Sequence, residues 1–155
     1  MLEKKQKVPA THLEVRKALL QIQKLGGGML MPFPLFEIAE KVFPYKLLSY
    51  HRTIVQVFCA LCNEYFLIYC YDKNPKTKFF VSEDRWEKYH IDRHTRETVI
   101  EDLSNIGWIF TETTPLPDKE DIKITIYEIN SEMLNLFVRY AGEERDLKRA
   151  KKIPF

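Results

Sequence analysis

KFFVSEDRWEKYHIDRHTRETVIEDLSNIGWIF, residues 78–110, is the stretch that decides the fold. Phe79-Phe80-Val81 is a short apolar run suited to a strand. Ser82 follows as an N-cap, because its hydroxyl accepts a free backbone N–H of the next turn. Glu83 and Asp84 then fall in a first helical turn, where negative charge meets the positive end of the helix dipole. Trp86 and Tyr89 are three apart and share one face of that helix. His90-Ile91 makes a turn with Ile91 as its buried residue, and Asp92 caps a second helix. That helix carries Thr95, Val99, Ile100, Leu103 and Ile106 close to the helical apolar spacing. Gly107 ends it, as a residue that tolerates a left-handed backbone does, and Trp108-Ile109-Phe110 starts a strand. Working outward, residues 111–121 (TETTPLPDKED) contain Pro115 and Pro117, cannot continue a central strand and are expected as an acidic loop. Ile122 to Ile129 alternates Ile122, Ile124 and Ile126 against Lys123, Thr125 and Tyr127, a strand with two unlike faces.

The order strand, helix, tight turn, helix, strand, loop, strand resembles the winged helix-turn-helix DNA-binding family, as found in bacterial transcription regulators and phage or plasmid replication-initiation proteins. The matching residues are Ser82 with Trp86, Ile91-Asp92 at the turn, then Thr95, Ile100, Leu103 and Gly107-Trp108-Ile109. The pattern covers about a third of the chain and extends more loosely from Leu47 to Tyr140. The resemblance implies an α+β fold: a three-helix core with a small antiparallel β-wing, plus N-terminal and C-terminal helices. It also implies non-catalytic binding of double-stranded DNA, with the second helix entering a groove. Arg93, His94, Arg96, Glu97 and Thr98 on that helix are then the expected DNA-binding residues, Arg93 at the end where side chains usually reach base edges. Lys78, Arg85 and Lys88 are expected to hold the phosphate backbone. Arg96 departs from the family pattern, which has an apolar residue there.

Charge bears on this reading. At about 100° per residue, the face of the second helix opposite Val99, Leu103 and Ile106 shows His94, Glu97, Thr98, Glu101 and Asn105. Glutamates repel phosphates, although they accept hydrogen bonds from cytosine amino groups. The expected wing carries Glu112, Asp118, Glu120 and Asp121 against Lys119. A winged-helix module for protein–protein contact without DNA binding is the alternative.

Over its 155 residues the chain carries ten Phe, eight Tyr and two Trp, enough apolar mass for a folded core without disulfides. The formal net charge of +2 demands no nucleic acid by itself, so attraction must come from local patches. Three cysteines, an odd count, favour a reducing cytoplasm over a disulfide framework. No continuous apolar run long enough for a transmembrane helix is expected, and Met1–Lys7 lacks the apolar core of a secretion signal. Residues 1–46 are read as an N-terminal helical extension, 47–140 as the winged-helix domain and 141–155 as a charged C-terminal tail.

Thr11 to Leu25 has helical spacing, with Gly26-Gly27-Gly28 as its stop. This amphipathic helix packs either on its own domain or against a second copy, and a homodimer through it is expected. Met29 to Phe33 is short and apolar, and Leu35 to Phe43 is a short helix ended by Pro44. Leu47 to Phe66 is the longest helix, burying Leu48, Ile54, Val55, Phe58, Leu61, Cys62 and Phe66. Leu67 to Tyr71 is expected to continue as a strand before a turn at Asp72–Thr77. Ser131 caps a helix through Tyr140, with Gly142 at its end, and Glu143 to Lys152 is a solvated helical tail or a basic arm touching phosphates.

Other constellations carry less. Cys59 and Cys62 with His90 and His94 mimic a metal site, but the gap is long and the cysteines sit in an apolar helical run, so no metal or other cofactor is expected. The triple glycine lacks the Lys-Ser or Lys-Thr of a phosphate loop. No Ser, His and Asp set activates a nucleophile, so no enzyme activity is expected.

Overall fold

The computed structural model describes residues 9–24, 51–71, 76–116 and 118–152, with backbone alone for His12, His51, Tyr71, Glu120 and residues 143–152. The elements expected at Met29–Phe33 and Leu35–Phe43, the glycine run and most of the turn after Tyr71 lie outside these residues. The order is α1 (His12–Lys24), α2 (His51–Tyr71), β1 (Phe79–Phe80), α3 (Glu83–Glu87), α4 (Arg93–Asn105), β2 (Ile109–Leu116), β3 (Lys119–Ile129) and α5 (Ser131–Lys152). The fold is α+β, with the helices set against an antiparallel three-stranded sheet of order β1-β3-β2.

Helix α2 is the centre of the molecule. Ile54, Val55, Val57, Phe58, Cys59, Ala60, Leu61, Cys62, Tyr65 and Phe66 are all buried. A helix that is apolar nearly all round must be enclosed, and this one is. Its stretch Arg52–Cys70 is by length and composition apolar enough to cross a membrane, which corrects the expectation that no such stretch exists; 67% of it is buried inside the molecule. The helix also runs on through Leu67–Tyr71, where a strand was expected. Ile68 and Tyr69 pack against the core at helical steps from Tyr65, and each further helical residue adds one backbone hydrogen bond to a helix already nucleated.

Two aromatic clusters weld the other elements to α2. Phe58, Trp108 and Phe137 meet with ring centroids 5.0–5.5 Å apart, joining α2, the start of β2 and α5. Tyr65 stacks on Phe79 at 5.1 Å, and Phe79 and Trp86 both contact Tyr127, joining α2, β1, α3 and β3. Such pairs add about 0.5–1.5 kcal/mol each beyond the area they bury.

Helix α1 is part of this core. Thr11 and Glu14 form a reciprocal cap: the Thr11 N–H donates to Glu14 and the Glu14 N–H to the Thr11 hydroxyl. Val15, Ala18, Leu19 and Ile22 are buried, and the contacts of α1 run to α5 and α2. Glu14 also accepts from Ser131 and Asn135 on α5, and Ala10 N–H donates to the Ile129 carbonyl. The segment read as an extension thus supplies one wall of the same core.

The hairpin is longer than expected. Residues 111–116 are strand, and β3 begins at Lys119, so most of the segment expected as an acidic loop is strand. The central strand is β3, and β2 lies at the sheet edge, where proline is tolerated because it has no ladder donor to lose. Pairing runs from Ile109↔Ile129 to Pro115↔Lys123 before the register shifts. Opposed residues share a face, so Phe79, Tyr127 and Thr111 look inward while Phe80, Ile126 and Glu112 look outward. The isoleucines of the alternating run therefore lie on the outer face, with Ile122 42% exposed.

Helix α5 passes through Gly142 without ending and continues to Lys152, correcting the expected stop. Gly142 lacks the positive φ of a helix-ending glycine; among the described glycines only Gly107 has one.

Candidate nucleic-acid interface

Helices α3 and α4 and the β2–β3 hairpin form one surface. Both caps read from the sequence are present: the Ser82 hydroxyl accepts from Arg85 N–H, and the Asp92 carboxylate accepts from Thr95 N–H. His90, between the helices, has φ 54, a left-handed conformation that tightens the turn. At its far end α4 closes with Gly107 at φ 78. Trp108 N–H donates to the Leu103 carbonyl and Gly107 N–H to that of Ser104, satisfying two end carbonyls. Asn130 locks this corner, donating to the Gly107 carbonyl and accepting from Met133 N–H at the start of α5.

Helix α4 is thereby fixed in rotation. Arg96, Val99 and Leu103 face the core; His94, Glu97, Thr98, Glu101 and Asn105 face outward and are exposed, with Arg93 beside them. Thr95 is exposed rather than part of the apolar face. A groove of about 610 Å³ separates α4 from the hairpin. Trp86, Ile100 and Tyr127 supply its apolar surface, Arg93, Glu97 and Glu101 one wall, and Thr111, Thr113, Lys123 and Thr125 the other. Burial, with Glu83 and Glu97 nearby and Arg96 opposing them, pushes the Tyr127 hydroxyl up to about 12, so it is neutral at ordinary pH.

The expected contact residues divide. Arg93 is exposed and pairs with Glu97 one turn on, at 3.1 Å. His94 and Thr98 are exposed, the Thr98 hydroxyl donating to the His94 carbonyl. Lys88 is exposed, and Lys78 is an exposed cation held 3.3 Å from Glu112. Arg96 is nearly buried, lining the groove with little of it exposed: its side chain is 7% exposed, 2.7 Å from Glu83, with the guanidinium 5.0 Å over the Trp86 ring. Stacking and one carboxylate hold the cation on the stripe it shares with buried Val99 and Leu103. The sequence does carry the signal, since Arg96, Val99 and Leu103 follow the i, i+3, i+7 step of the buried stripe.

Arg85 is likewise engaged, and its partner Glu64 was missed. Glu64 sits inside the apolar run of α2 and takes both arms of the Arg85 guanidinium at 2.7 Å, plus the Tyr89 hydroxyl at 2.6 Å. Burial raises the Glu64 carboxyl, but the hydrogen bonds from Arg85 and Tyr89 and the Arg85 charge outweigh it and hold the group below its ordinary value. Tyr89 is pushed up, first by burial and then by its bond to Glu64. An acid flanked by Asn63 and Tyr65 within a buried helix was the available signal, because a buried charge must be paired.

Cys59 and Cys62 are buried, and burial pushes both thiols up. Among the described residues no group of three His, Cys, Asp or Glu is placed to hold a metal ion. No family model matches the sequence, and no curated protein or solved structure is detectably similar to the chain.

Proposed function

We propose that this protein is a winged-helix reader of double-stranded DNA without catalytic activity, acting in transcription regulation or replication initiation. Helix α4 is the reading helix, and the β2–β3 hairpin is the wing. The observation that carries this reading is the outward row Arg93, His94, Glu97, Thr98 and Glu101. It is left uncovered on a helix whose rotation is locked by Arg96, Val99 and Leu103 beneath it. A rod held this way meets the requirement for a helix that lies in the major groove with its first residues against base edges. Arg93 then reads a base, and Lys88 and Lys78 serve phosphates. In a gel-shift titration, Arg93→Ala is expected to relax discrimination at one position by about 1–3 kcal/mol. Unchanged discrimination would remove Arg93 from the reading set.

A second reading is favoured by charge. Between residues 76 and 130 there are eight basic and twelve acidic residues, a net of −4. An acidic surface of this kind suits contact with a protein partner. That reading predicts no duplex affinity at low salt and a stoichiometric protein complex in a pull-down. Should the DNA reader act on paired half-sites, α1 would dimerise through its remaining outward apolar residues, Leu13 and Leu20, seven apart on one stripe.

A further inference from the structure

The groove between α4 and the hairpin, about 610 Å³, has the size of a pocket for a small organic molecule. Arg96 and Tyr127 line it, and both are more than nine-tenths buried. Burying polar groups is costly unless their hydrogen bonds are made, and in this groove they are made only in part. The Arg96 Nη2 donates to Glu83, while among the described residues Nε and Nη1 meet no acceptor. The Tyr127 hydroxyl has no hydrogen-bond partner among them either, and it keeps its proton at ordinary pH. Among the described residues the Tyr65 hydroxyl alone is both unpartnered and sealed from solvent, so the spare donors of Arg96 and Tyr127 open on the groove.

Two donors in one groove, one of them cationic, suit an anionic acceptor, because hydrogen bonds to an ionised partner are the strong ones. Charge limits that anion. The lining cations Arg93, Arg96 and Lys123 are balanced by Glu83, Glu97 and Glu101. The Glu83 and Glu97 side chains are each 60% exposed, so solvent screens them, whereas Arg96 acts from a buried position. A single carboxylate gains that short-range attraction at little cost. A doubly charged phosphate meets added repulsion from the three glutamates. Trp86, Val81 and Ile100 offer apolar surface to the rest of the ligand.

We infer that this groove binds a small organic monocarboxylate, its carboxylate on the Arg96 guanidinium and the Tyr127 hydroxyl and its apolar body against Trp86 and Ile100. The site stands with either reading of the outward row of α4. The test is NMR of the full chain. Its two tryptophans give two indole N–H signals, Trp86 on the groove and Trp108 in the core. The probes are phenylpropanoate and hexanoate, with phenylpropanamide and inorganic phosphate as controls. At least one carboxylate is expected to shift the Trp86 signal saturably and leave Trp108 still, with a Kd of about 1–10 mM for ligands of this size. The amide and phosphate should bind about tenfold more weakly or worse. Arg96→Met should weaken carboxylate binding about tenfold or more, and Tyr127→Phe about threefold. A thermal melt establishes that each variant is folded; if Arg96→Met is not, Tyr127→Phe carries the test. No saturable shift from either carboxylate in that range would overturn the inference. So would equal binding of the amide or of phosphate, or unchanged affinity in the folded variants.

Discussion

Arg96 and Arg93 stand one turn apart on α4 and have opposite fates. Arg93 projects from the first turn beside an exposed glutamate, whereas Arg96 lies over Trp86 inside the fold. Helical phase separates them: Arg96 shares the buried stripe with Val99 and Leu103. Replacing Arg96 by Met keeps the bulk over the indole and removes a desolvated charge, an exchange that is often neutral or stabilising. Arg96→Met is therefore expected to leave duplex affinity nearly unchanged, read by the same titration that detects the effect of Arg93→Ala. A large affinity loss in a folded Arg96→Met protein would mean that the guanidinium reaches DNA. Leu103, fully buried, gives a plain packing test: Leu103→Ala should cost about 2–5 kcal/mol in a denaturant melt. The burial of Leu103, the caps at Ser82 and Asp92 and the helix end at Gly107 were legible because each depends on neighbours within a few residues. Glu64 was not, because its partners Arg85 and Tyr89 are 21 and 25 positions away and only the folded chain brings them together.

At the scale of elements, the departures share a cause. The strand expected at Leu67–Tyr71, the loop at residues 111–121 and the stop at Gly142 were judged from composition. In each case the neighbouring elements take over most or all of the segment. Pro115 is an edge-strand residue rather than a loop marker because β3, not β2, is central. Gly142 offers a test with opposite signs. Within a continuous helix, with no atom within 4 Å of a Cβ placed there, Gly142→Ala should stabilise by about 0.5–1 kcal/mol. A helix that ended there in a left-handed turn would be destabilised by the same change. The Glu64–Arg85–Tyr89 bond set joins α2 to α3 and the turn after it. Because the folded state holds Glu64 below its ordinary value of 4.5, the stabilisation is complete above that pH and is lost as pH falls through the folded value. Glu64→Gln should remove this acid-side contribution, so the difference in melting temperature between wild type and variant narrows on acidification. A difference independent of pH would show that the carboxylate charge is not what holds α3.

For the whole molecule, α1, α2, α5 and the sheet form one continuous core, and this core presents α4 and the hairpin on one side. The α+β class was legible from residues 78–129, because caps, turn glycine and apolar period agree there, while the length of the hairpin was not. Function was less so, since the same surface carries an uncovered polar helix face and a net negative charge. Duplex affinity of the full chain in low salt decides between these two consequences. The account predicts measurable binding that weakens steeply as salt rises, with a log–log slope of about −3 or steeper. Folded protein that binds no duplex even in the lowest salt would contradict it and leave α4 as a surface for another protein.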